Sequence, residues 1–223
     1  SSDVCSSDLA VAPGTIDWTL PDPNADVAKS GAIPQPSQFV NQAQGRNECC
    51  PGAVSTSLKY LVSTGKINPL PGGDDIDDVK AWLPWLGPNS GTASNWYQDK
   101  KAYLEQRGMT VTFVEAPLDA ADIDFLIDQL KDGQDIEMDL DGHVETLVGL
   151  RLLDNGAIDL DLYDDDQKDQ VPDPMHTSRI VFVNDVPYVD GMRLERFVIE
   201  CPEPATLVLL GAGGLLIARR RGG

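Results

Sequence analysis

Residues 119–150 read DAADIDFLIDQLKDGQDIEMDLDGHVETLVGL, and the hydrophobic period changes inside this stretch. Over Asp119–Gly133 the apolar residues Ile123, Leu126, Ile127 and Leu130 recur at helical spacing. From Asp135 to Leu140 the order Asp-Ile-Glu-Met-Asp-Leu alternates strictly, as in a strand with one face in the core. Val144–Leu150 and Ile158–Tyr163 read as further strands, and Arg179–Val183 and Arg193–Ile199 complete an antiparallel set. Upstream the helical period dominates. AVSTSLKYLVSTG after Pro51 places Val54, Leu58, Leu61 and Val62 on one face, with Gly65 as C-cap. Asn95–Gly108 reads as another helix before a strand at Met109–Glu115. Helices first and a sheet second predict an α+β domain.

Composition narrows the function. The chain has 223 residues, 41% of them hydrophobic, and a net charge of −19. That is enough apolar material for a core, and a body this acidic repels phosphate backbones, so no nucleic-acid partner is expected. Only two His and four Cys occur, with no Cys-x2-Cys and no His-Glu-x2-His, so neither metal nor cofactor is expected. Asp74, Asp75, Asp77 and Asp78 read as the acidic start of a helix. Glu137, Asp139, Asp141 and Gly142 imitate a calcium loop, but position twelve is Val148 where a bidentate Glu is required.

Four regions follow. Residues 1–9, SSDVCSSDL, have neither a basic start nor an apolar run, and resemble translated sequencing-adapter read-through. They are expected to be a non-native prefix, with any signal peptide lost. Residues 10–43 form an extended lead-in with a short strand near Thr15–Leu20, 44–200 the folded domain, and 201–223 a tail. The tail runs Pro202-Glu203-Pro204, then the apolar Ala205–Ala218, then Arg219, Arg220 and Arg221. As a helix the apolar run would reach about 21 Å, short of the ~30 Å of bilayer hydrocarbon. The arginines would stay cytoplasmic. The ending resembles the PEP-CTERM sorting signal. This implies export, a short membrane anchor before processing, cleavage by the protease exosortase, and a final place at the cell surface or outside it, often with exopolysaccharide.

The chemistry-bearing segment is QGRNECCPGAVSTSLKYL, Gln44–Leu61. Cysteines at a helix start meet the positive end of its dipole, which favours the thiolate. Gln44 upstream supplies an amide able to stabilise an oxyanion. His143 heads a strand and is the candidate proton carrier, whereas His176, in VPDPMHTS, is expected in a solvent-exposed loop. Asp164, first after Tyr163, is the candidate orienting acid, with Asp165 and Asp166 beside it. CCPGAVSTSLKYL and GHVETLVGL resemble the motifs of papain-like cysteine peptidases of the bacteriocin-processing, double-glycine-leader type. That resemblance implies a papain-like fold, with N-terminal helices on a C-terminal antiparallel sheet and the hydrophobic tail helix beyond. It also implies peptide hydrolysis by Cys49 or Cys50 with His143, Asp164 and Gln44. The helix register favours Cys49 and the spacing from Gln44 favours Cys50. Cys50 stands where the family usually has Gly. Three other readings stay open: an inactive extracellular matrix or binding protein on that fold, an unrelated α+β domain whose motif matches are fortuitous, or cysteines that merely pair with Cys201 in a disulfide.

Overall fold

The computed structural model describes residues 25–35, 38, 44–163 and 175–202. Its dominant feature is a closed barrel of six antiparallel strands. These are β5 (Ile136–Leu140), β6 (His143–Leu153), β7 (Ile158–Tyr163), β8 (His176–Val183), β9 (Val186–Val189) and β10 (Met192–Pro202). Each pairs with the next in sequence, and β10 returns to β5, with Phe197 opposite Met138. Two tight turns help build the meander. Asn184–Asp185 and Asp190–Gly191 each have both residues at positive φ, the geometry that matches strand twist in two-residue hairpins.

The remaining elements are attached to this barrel. β1 (Val27–Ala32) pairs with β6, and β4 (Met109–Glu115) pairs with β10. The helices are α1 (Cys49–Ser63), α2 (Ile76–Lys80), α3 (Trp96–Glu105) and α4 (Ala120–Lys131), and β2 (Trp85–Gly87) with β3 (Gly91–Thr92) form a separate small hairpin. α4 starts as its sequence predicts: Asp119 accepts from the Ala121 and Asp122 amides, and Asp122 reaches back to the Asp119 amide. The acidic cluster likewise precedes and opens α2, with Asp77 and Asp78 in its first turn.

The expected α+β, papain-like arrangement does not hold. The fold is mostly β, and its strands close on themselves rather than forming a sheet laid against helices. Closure arises because the long strands β6 and β10 use both edges, a pairing choice that hydrophobic period does not encode. The lead-in contributes β1, at residues expected to lack regular structure, whereas Thr15–Leu20 lies outside the described residues. Among the described residues no helix is long and apolar enough to cross a membrane, and none corresponds to the hydrophobic tail helix. Ser1–Leu9 and Ala205–Ala218 lie outside the described residues.

Strand parity divides the barrel wall. Met138, Leu140, Leu147, Leu160, Leu162, Ile180 and Phe197 fill the interior, all buried. The other face of β5 carries Glu137 and Asp139, with Asp135 just before the strand, and these are buried too, under α1 and α3. The half-buried reading of Asp135–Leu140 is therefore corrected: both faces of β5 are covered.

Candidate functional site

α1 begins at Cys49, and its first ten residues are buried. The approach to it is fixed by Glu48, whose carboxylate accepts from the Gly45 amide at 2.6 Å and pairs with Lys80. Pro51 falls in the first turn, where a missing N–H costs little. Gln44 is brought onto that turn. A Cβ on Gly52 would lie 2.3 Å from Gln44 Cδ, so only glycine leaves room for the amide. Gln44, Cys49 and Cys50 are thus assembled at one helix start, as the sequence suggests.

The state of the two sulfurs differs from expectation. Cys49 is disulfide-bonded. Cys50 is a free thiol with no exposed surface, held well above its ordinary pKa by burial first and by the charge of Asp139 next. The helix start would lower that pKa, but burial outweighs it. Cys201 is also free, and its thiol donates to Gln129 Oε1 at 3.1 Å, so it pairs with neither Cys49 nor Cys50.

His143 opens β6 opposite Leu140, while Val144 stands opposite Asp139. Alternation therefore puts His143 and Glu145 on the face of Leu140 and Met138. Asp139 and Glu137, the acidic neighbours of Cys50, occupy the other face. His143 Nε2 lies 3.6 Å from Glu145 Oε1. Asp164, Asp165 and Asp166 lie outside the described residues, as do Glu203, Pro204, Arg219, Arg220 and Arg221.

Sequence reasoning missed His176. It is not in a loop but opens β8 opposite Leu162, with its Nε2 3.5 Å from Asp190 Oδ2. Ser178, two residues on, donates to the same oxygen at 2.6 Å. The signal was available in HTSRIVFV, where His176, Ser178 and Ile180 share one parity. One end of the barrel interior is thus polar, and it gathers both histidines of the chain.

A second polar group lies outside the barrel wall. Lys100, from α3, is fully buried and bridges the Glu137 and Glu200 carboxylates. Ser57 of α1 donates to Asp135. Trp96 Nε1 donates to Asp139 Oδ1 at 3.2 Å, and Arg196 Nε lies 3.0 Å from Asp139 Oδ2. Burial raises Asp135 and Asp139 each to about 7, and raises Glu200 well above the carboxylate range. The charges of Glu137 and Glu200 draw the Lys100 ammonium upward against the desolvation that opposes it.

Comparison with known families identifies one segment. Residues 200–221 match the PEP-CTERM protein-sorting motif. No curated protein matches the chain. The motif starts on the barrel itself: Glu200, Cys201 and Pro202 are the end of β10, opposite Val111, Thr110 and Met109 of β4. The chain is an exported substrate of exosortase, anchored in the membrane before processing.

Proposed function

We propose that the processed protein is a non-hydrolytic barrel domain held in the extracellular matrix of its host. The state of Cys50 is the observation that carries this reading: its thiol has no exposed surface, and burial holds its pKa well above the ordinary value. A thiolate nucleophile needs a lowered pKa and access, and Cys50 has neither. In this reading Cys50 is a core residue of α1, and the acidic barrel surface meets the exopolysaccharide and its cations. Loss of Arg219–Arg221 on cleavage makes the mature product more acidic than the chain's −19.

The second reading is peptide hydrolysis, with Cys49 or Cys50 as nucleophile, His143 as proton carrier, Asp164 orienting it and Gln44 on the oxyanion. It draws support from Gln44 and both cysteines sharing the first turns of α1. Alkylation of the folded chain at neutral pH, mapped by mass spectrometry, separates the two. The structural reading expects Cys50 to resist iodoacetamide until urea unfolds the domain. Rapid modification of Cys49 or Cys50 that disappears in His143→Ala, together with peptide cleavage, would establish the hydrolase instead.

A further inference from the structure

We propose that Glu145, His176 and Asp190 form a site for a divalent transition-metal cation of the zinc class at the polar end of the barrel. One ligand atom from each lies within 4.8 Å of the other two. They come from β6, the start of β8 and the β9–β10 turn, three segments that barrel closure holds together.

The spacing of His176 and Asp190 suits two ligands of one metal ion. His176 Nε2 and Asp190 Oδ2 are 3.5 Å apart, beyond the 2.7–3.2 Å range of an N–H···O bond. Two ligands on one tetrahedral zinc, with bonds of 2.0–2.1 Å, stand about 3.4 Å apart. The pair already has that spacing. No separation in the set exceeds 4.8 Å, so none needs to contract by more than about 1.4 Å to reach it. His176 at a strand start and Asp190 in a two-residue turn are positions able to supply that movement.

The surroundings match what such a site requires. Imidazole with carboxylate oxygens suits zinc and its neighbours. Two carboxylates balance a doubly charged cation, which the interior would otherwise exclude. Ser178 Oγ fixes Asp190 with a hydrogen bond of 2.6 Å, the kind of outer partner a metal-ligating carboxylate has. Access is graded: the Glu145 side chain is 3% exposed, Asp190 27% and His176 36%. An ion can enter from the His176 side and reach the buried carboxylate last.

The test titrates Co2+ into the full chain, purified in detergent micelles and stripped with chelator, and reads visible d–d absorption. One equivalent should produce a tetrahedral spectrum that Zn2+ abolishes by displacement. His176→Gln and Asp190→Asn change half-exposed positions, and far-UV circular dichroism verifies that each is folded. Each should weaken Co2+ binding at least about a hundredfold, with Ser178→Ala costing about tenfold through the lost hydrogen bond to Asp190. Two results would overturn the site. One is unchanged affinity in both His176→Gln and Asp190→Asn. The other is Ca2+ competing as well as Zn2+, which would mark diffuse binding to an acidic surface.

Discussion

The barrel carries acidic residues on two walls and treats them in opposite ways. On the β5 wall Asp135, Glu137 and Asp139 lie beneath helices, and Glu200 of β10 joins them, all nearly without solvent. On the β7 wall Asp159 and Asp161 face away from the core, and among the described residues no helix packs over β7. There, each takes an arginine from a neighbouring strand: Arg179 Nε reaches Asp159 Oδ1 at 2.6 Å, and Arg151 holds Asp161 at 2.6 and 2.9 Å. The first wall has fewer cations than carboxylates, so protons must make up the difference. The second matches charge for charge. Covering a strand, rather than its sequence, decides which solution is needed, because an unpaired carboxylate is tolerable only where water reaches it.

Removing the cation of the covered wall should produce the largest effect. Lys100→Met leaves Glu137 and Glu200 buried beside one another, and loss of one partner from a buried ion pair costs about 3–5 kcal/mol. Urea unfolding near pH 7 should show a lower midpoint, and the deficit should shrink at pH 5 as Glu200, whose pKa burial raises, takes up a proton. A midpoint equal to wild type at both pH values would remove Lys100 from the account of this wall.

The pH dependence of the same wall comes next in size. Asp135 and Asp139 rise from an ordinary 3.8 to about 7 in the folded state, so the native protein holds protons that the unfolded chain releases. Their contribution is complete below about pH 4 and is lost as pH passes through about 7. Across that window each group should subtract roughly 1 kcal/mol of stability per pH unit. Asp135→Asn should flatten the profile, measured as wild type minus variant by urea unfolding between pH 4 and 8. A difference that grows with acidity in the variant's favour would reverse the sign and exclude a protonated Asp135.

How far these walls were legible in the sequence differs sharply. The helix at α4 was readable because Asp119 and the Ile123, Leu126, Ile127 and Leu130 stripe are local signals. The start of α1 was readable for the same reason, and Gln44 reaches it as expected. The alternation in Asp135–Leu140 correctly gave a strand but suggested water on its acidic face. Nothing local indicates that Lys100, on a helix read as ordinary, would be the counter-charge. Barrel closure was equally hidden, since the β5–β10 pairing depends on which edges meet. His143 was singled out for its place at a strand head. His176 was passed over because the Pro-rich loop before it suggested solvent, although it also heads a strand. The thiolate expectation failed for Cys50 because a helix start was weighed without the burial that overrides it.

The uncovered wall should respond least, and its two pairs should differ from one another. Arg179 faces a carboxylate whose side chain is only 3% exposed, so Arg179→Ala should cost about 2 kcal/mol by leaving Asp159 poorly solvated. Arg151 faces Asp161, which is 16% exposed and also accepts from Thr177 Oγ1 at 2.7 Å. After Arg151→Ala the Asp161 carboxylate therefore retains a donor and some water. A double-mutant cycle with Asp161→Ala should give a coupling of about 1 kcal/mol, above most surface pairs because the fork is bidentate. That coupling should fall as salt is raised, since the Arg151 side chain is 30% exposed. The covered wall supplies the control: the deficit of Lys100→Met should change little over the same salt range, because ions do not enter a pair with no exposed surface. Equal salt sensitivity at Arg151 and Lys100 would mean that the two walls do not differ in solvent access, and the contrast drawn between them would fail.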